Sequence, residues 1–307
     1  METGLLIGRQ IVIMFIILAI GAFCYLKGII TKEGTKQLST IALTIVNPIL
    51  IFMSYQKDYN SELVKGLMWS FLLSAISFAA AITLSYICIR KTSKEKDIER
   101  FSIIYSNCAF ICMPLINGIY GSEGVLYLTA YLTFFNLLVW THGLMTMKGE
   151  KDFSSVMKAL KSPSVIAVFI GLICYLTKIR LPSVPAAALQ YIADMNTPLA
   201  MLIAGATAAQ TNILKAFKNL RIYALSFFRL ILIPAVAFGL MYLTGAPEKV
   251  ITTVTIATAC PTATMATMFA IKLDKNPQRC SEIFTVTTLL SAFTLPLITM
   301  LCSYVCG

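Results

Sequence analysis

The sequence predicts an all-α polytopic membrane protein: ten transmembrane helices in two inverted five-helix repeats, with the fourth and ninth helices broken. Three observations carry this fold class. Charges divide the chain into apolar segments of spanning length, basic residues crowd alternate connections, and helix-breaking residues recur about half a chain apart.

Of 307 residues 58% are hydrophobic and only 13% charged, with a mean hydropathy of +0.80, a balance foreign to soluble domains. Crossing about 30 Å of hydrocarbon takes about 20 mostly apolar residues at about 1.5 Å each. No charge lies between Arg9 and Lys27, Lys36 and Lys57, Lys65 and Arg90, Arg100 and Glu123, Glu123 and Lys148, Lys161 and Lys178, Lys249 and Lys272, or after Glu282. Two further spans follow if Asp194 and Arg229 are intramembrane charges, one between Arg180 and Lys215, the other between Arg221 and Glu248. The first span reads as a retained helix, because Met1, Glu2 and Thr3 supply no basic region of a cleaved signal.

The net charge of +11 reports topology rather than a nucleic-acid partner. Eighteen of the 25 Lys and Arg fall in the connections after spans one, three, five, seven and nine; six lie on the opposite side, and Arg229 lies within a span. By the positive-inside rule the odd-numbered connections are cytoplasmic and both termini face outward. The expected location is the plasma membrane, the inner membrane of a bacterium, with the lipid bilayer as the principal partner; a homodimer is compatible with this layout.

Loops are short, which leaves no room for a soluble catalytic module. No paired catalytic carboxylates, Ser/His or Cys/His set, or HExxH motif appears, so an enzyme is not expected. Nine cysteines lie in or near spans without a disulfide or zinc spacing. Cys108 and Cys112 stand one helical turn apart and read as packing residues, a metal pair being the alternative. His142, the single histidine, reads as polar packing. No cofactor is expected beyond a coupling ion, H+ or Na+.

Helix breakers echo between the halves. Span two carries Asn47-Pro48 and span seven Asn196-Thr197-Pro198, the prolines 150 positions apart; span four carries Pro114 and span nine Pro261, 147 apart. These offsets suggest a duplicated unit, residues 1–150 and 151–307. Five helices per unit turn the second copy upside down, as in secondary transporters whose broken helices build a site near the midplane.

In these motifs the chain resembles the auxin efflux carrier family, which includes bacterial permeases proposed for malate and malonate. The matching features are Asn47-Pro48, the stretch from Asn107 through Pro114 to Gly121, Pro198-Leu199-Ala200, Pro261, and Leu295-Pro296-Leu297. The resemblance implies a five-plus-five fold in which broken helices four and nine cross, and carrier transport of carboxylate-containing compounds. The long cytoplasmic loop of many plant members is missing, so a bacterial permease fits better.

A proline inside a helix donates no N–H and displaces the carbonyl four residues earlier, here those of Phe110 and Ala257. If helices restart at Pro114 and Pro261, the following amides (Leu115, Ile116 and Asn117; Thr262, Ala263 and Thr264) form positive N-terminal ends able to seat a carboxylate. Asn47, Asn107, Asn117, Thr262 and Thr264 would add neutral donors, although Asn47 and Asn196 serve equally as partners for freed carbonyls. Asp194, Asn196 and Arg229 form an ion-coupling set; a fixed Asp194–Arg229 pair, or Arg229 reaching to the cytoplasm, are the alternatives. The expected function is secondary active transport of a small organic anion, with symport as one mode. A channel or a transporter-like sensor of the same fold is the alternative.

Overall fold

The computed structural model describes residues 2–90, 92–93, 95–148, 161–211 and 216–306. The boundary expected between residues 150 and 151 lies outside them. Among the described residues regular structure is helical, with one isolated antiparallel bridge between Ser106 and Thr262.

The first half contains α1 (Glu2–Leu26), α2 (Lys32–Ile41) leading to α3 (Asn47–Ser54), α4 (Ser61–Cys88), α5 (Lys96–Ile104), α6 (Met113–Leu138) and α7 (Leu144–Lys148). The second half contains α8 (Pro163–Leu176), α9 (Ser183–Asp194), α10 (Asn196–Ala209), α11 (Leu220–Phe227), α12 (Ile233–Tyr242), α13 (Glu248–Ala259), α14 (Met265–Lys272) and α15 (Pro277–Cys306). Asn60 and Asn219 start α4 and α11 by accepting the N–H of Glu62 and Arg221, at 2.8 and 3.1 Å. Five stretches are long and apolar enough to cross a membrane: Lys32–Ser54, Ser61–Cys88, Cys108–Lys148, Leu220–Tyr242 and Pro277–Cys306. Val12–Leu26 and Pro163–Leu176 are shorter apolar helices.

The stretch from Cys108 to Lys148 is not straight. Gly121 takes φ 57°, which costs glycine little because it has no β-carbon. A β-carbon on Gly124 would meet the Ile116 side chain at 2.7 Å, although eight residues of straight helix span about 12 Å. The chain therefore folds back at Gly121.

Burial is inverted relative to a soluble protein. Phe23, Phe169, Phe293 and Leu297 point outward, whereas Ser70, Ser77, Thr253 and Thr287 are buried. Small hydroxyl side chains suit such an interior because they bond neighbouring carbonyls and let helices approach closely. The helices form two groups. One contains α1, α2, α3, α8, α9 and α10; the other contains α4, α5, α6 and α11 to α15, with α6 and α15 touching both. In the first group α1 and α10 meet backbone to backbone: a β-carbon on Gly21 would strike Leu202 O, and one on Gly205 would strike Leu18 O.

Pro114 departs from expectation. It does not end a helix; it follows a π-helical turn, Cys108–Cys112, and lies inside α6. Pro48 and Pro234 repeat the device after Ala42–Val46 and Phe228–Leu232. In each case the residue before the proline (Asn47, Met113, Ile233) donates its N–H five residues back, to Ala42, Cys108 and Phe228 respectively. The wider turn gives the proline ring room past the carbonyl it would otherwise strike, so the helix continues. The path through the bundle is instead interrupted at Tyr105, Ser106 and Asn107, seven to nine residues earlier, and again from Cys260 to Thr264.

At the end of the bundle that carries Lys96, Lys272 and Lys275, charges are paired. Glu99 receives two bonds from Arg221 at 3.0 and 2.8 Å, Asp97 meets Lys275 at 3.0 Å, and Glu95 meets Arg279 at 3.1 Å. Burial alone would raise the Glu99 pKa, but hydrogen bonds from Arg221 and Ser93 and the charges of Arg221 and Arg279 hold it below the ordinary value.

Candidate functional site

The two interruptions meet. Asn107 N–H donates to Pro261 O at 2.7 Å, and Ala263 N–H donates to Tyr105 O at 2.9 Å. Side chains reinforce this short antiparallel contact: Thr262 Oγ1 donates to Ser102 O at 2.9 Å, and the Thr262 N–H reaches Thr287 Oγ1 at 3.3 Å. Cys260 is extended, as a residue before proline tends to be, so α13 stops one residue short of it.

Four helix ends converge here. The amides of Cys108, Ala109 and Phe110 begin a helical stretch and have no intrahelical acceptor, because the first bonds formed run from Ile111 and Cys112 back to Asn107 O. Thr264 and Met265 stand in the same position at the start of α14, where the first bonds run from Ala266 to Ala263 O and from Thr267 to Thr264 O. The opposite ends, the C-termini of α5 and α13, are clamped by Arg229. Its guanidinium donates to Ile103 O at 2.8 Å, Ile104 O at 3.1 Å, Cys260 O at 2.9 Å and to Thr258 O. Arg229 is 0% exposed, and among the described residues no carboxylate pairs with it.

Beside the N-terminal ends lies a cavity of about 270 Å³. Its floor is buried and includes Asn47, Ile51, Asn107, Phe110, Met113 and Ala263; Thr40, Thr44, Pro163 and Met268 form an exposed rim. The rim lies toward the end that carries Lys36, Lys161 and Lys272. Among the described residues no charged side chain lines the cavity. Asn107 is 3% exposed, and its Nδ2 has no hydrogen-bond partner although it borders this space. A buried amide donor without an acceptor is costly unless a ligand or water supplies one.

Of the expected substrate residues, Asn47, Asn107, Ala263 and Thr264 line the cavity. Thr262 and Pro261 build the crossing behind it, and neither is a lining residue. Pro114, Leu115, Ile116 and Asn117 are inside α6 and outside the lining, because the free amides belong to the earlier interruption. Asn47 Oδ1 accepts from Asn196 Nδ2 at 2.5 Å, which joins the two proline-bearing segments.

The ion-coupling set is dispersed. Asp194 is exposed and accepts a bond from Gln190 at 2.7 Å, Asn196 is buried against Asn47, and Arg229 is at the crossing. Asp194 and Arg229 do not pair. A charge map gives a position along a helix but not the face it presents, and α9 turns Ala193 inward and Asp194 out. Cys108 and Cys112 are buried in the packing of the crossing, and no metal-binding group of three ligands occurs among the described residues. His142 Nδ1 lies 2.9 Å from the Tyr105 hydroxyl, which also donates to Leu138 O.

Sequence reasoning passed over Asn136, Trp140 and Ser164, which also line the cavity. Asn136 was detectable as the lone Asn or Gln of the fifth apolar segment, between Glu123 and Lys148.

Comparison with known proteins agrees with this architecture. The family profile described as "Membrane transport protein" matches residues 6–157 and 150–299. An uncharacterized transporter of Methanothermobacter thermautotrophicus is 23% identical over 291 residues, covering 92% of this chain and 94% of its own. An uncharacterized transporter of Methanocaldococcus jannaschii is 23% identical over 303 residues, covering 94% and 96%. With its several apolar helices, this multi-pass membrane protein belongs to the membrane transport protein family, that of the auxin efflux carriers.

Proposed function

We propose that the protein is a secondary carrier that moves a small carboxylate across the plasma membrane by alternating access, with the carboxylate held at the crossing. The observation that carries this reading is the unpartnered Nδ2 of Asn107 beside two helix N-terminal ends in a cavity that no acidic side chain among the described residues lines. Such ends attract anions without any Lys or Arg in contact. The remaining lining is mostly apolar, with Phe110, Phe135, Leu132, Met113 and Trp140, and holds no cation among the described residues. The favoured cargo is therefore a monocarboxylate with an uncharged body.

In this reading the chain crosses the bilayer ten times in two inverted halves, the interrupted segments are helices four and nine, and both termini are outside. The contact between Asn47 and Asn196, 149 positions apart, supports the duplication. With the basic end in the cytoplasm, the cavity is open inward and the crossing closes it from outside. That closure favours a carrier over a channel. For ion coupling, Asp194 remains the group to test, with H+ or Na+ as the ion.

Counterflow in liposomes tests the whole. Uptake of a labelled monocarboxylate should saturate and be accelerated by unlabelled monocarboxylate inside, with matched dicarboxylates weaker. Non-saturating flux without counterflow would support a channel instead. Failure of every carboxylate, in protein that binds another solute, would overturn the anion assignment.

A further inference from the structure

Among the described residues the other buried charges are near the basic end: Glu99 with Arg221, Arg279 with Glu95, and Arg100 stacked 4.4 Å over Tyr86. Among the described residues Arg229 is the charged side chain at the crossing, fully buried and bonded to four backbone carbonyls, with the Tyr131 hydroxyl beside it and no carboxylate. Those carbonyls terminate α5 and α13 or directly follow them, ends that carry about half a negative charge each. Without a cation, two negative and two positive helix ends would nearly cancel at the crossing. With the guanidinium in place the negative pair is neutralised, and the positive pair faces the cavity unopposed.

We infer that Arg229 is the positioning residue that makes the crossing select anions: it cancels the C-terminal ends of α5 and α13 from behind the cavity and never touches the cargo. Arg229 is not among the residues that line the cavity. Its physiological meaning rests on the carboxylate site proposed above, but its electrostatic effect does not depend on any cargo. A unit charge within about 10 Å, at an effective dielectric of about 20, changes the relative rates of oppositely charged reagents by tenfold or more.

The potential can be read with a thiol placed in the cavity. Ala109, partly exposed on the lining beside the free amides, is changed to cysteine (Ala109→Cys) in the full chain in nanodiscs. Its modification by an anionic sulfonatoethyl and a cationic trimethylammonioethyl methanethiosulfonate is measured, subtracting the reaction of the parent's nine cysteines. Each rate is divided by that of the same reagent with free 2-mercaptoethanol. The anionic reagent should be favoured tenfold or more. Arg229→Met should reduce that preference at least tenfold, and Arg229→Lys should retain most of it. A purely structural arginine would change stability and leave the preference intact, which would overturn the inference. If Arg229→Met does not fold, the protein with Arg229 still decides, because a normalised preference of one or less overturns the inference. Carboxylate uptake is scored separately: its absence with the preference intact removes the cargo assignment and not the role of Arg229.

Discussion

The crossing and the basic end both use buried or half-buried charge to join the two halves of the chain, and they do so in opposite ways. At the basic end cations meet carboxylates, as Arg221 meets Glu99, Lys275 meets Asp97 and Arg279 meets Glu95. At the crossing Arg229 meets carbonyl dipoles and, among the described residues, no carboxylate. Paired charges tie connectors together and leave little net field. A cation held by two helix C-terminal ends does the tying and also offsets their negative charge, which leaves the neighbouring N-terminal ends unopposed.

The widest gap between the two regions should appear on removing the cation at the crossing. Arg229→Met orphans four buried carbonyl contacts and should cost at least about 3 kcal/mol, read as a large fall in melting temperature in detergent. A fall no greater than that of a surface substitution would erase the distinction.

Asn107→Ala sharpens the comparison from the cargo side. Its Nδ2 has no partner to lose, so melting should change little, whereas affinity for a monocarboxylate should fall about tenfold or more. Loss of stability without loss of affinity would mark Asn107 as architecture.

Glu99→Gln tests the paired region and should cost only about 1 kcal/mol, because the Arg221 side chain is 40% exposed and screened by water. The sign of the pH dependence follows from its lowered pKa. The stabilisation is complete above the ordinary carboxylate value of 4.5 and is lost as pH falls through the lower folded value. Melting curves of the two proteins should therefore converge in acid and separate toward neutrality. Curves that separate only in acid would reverse the assignment.

The smallest structural effect is expected at Asp194, exposed and outside both regions. Asp194→Asn should shift stability by less than about 0.5 kcal/mol. As the proposed coupling group it should still remove the dependence of uptake on pH or sodium. Unchanged ion dependence would leave Asp194 a surface residue.

Much of this molecule follows from its sequence alone. Apolar segments separated by charges set where helices run, because lipid tolerates neither bare backbone polar groups nor unpaired charges. Pro261 marks an interruption, because its ring and missing N–H oppose a continuous helix, and Asn47 and Asn107 stand out as polar residues in apolar segments and line the cavity. The tertiary structure alone decided three matters. The helix runs on through Pro114 after a π-helical turn, and the interruption falls instead at Tyr105 to Asn107, whose backbone partners Ala263 and Pro261 are more than 150 positions away. Asp194 and Arg229 separated because a charge map gives depth along a helix, whereas the face it presents depends on packing. Arg229 took carbonyls in place of a carboxylate because the C-terminal ends of α5 and α13 come together only when the two halves fold against each other, and no local pattern records that meeting.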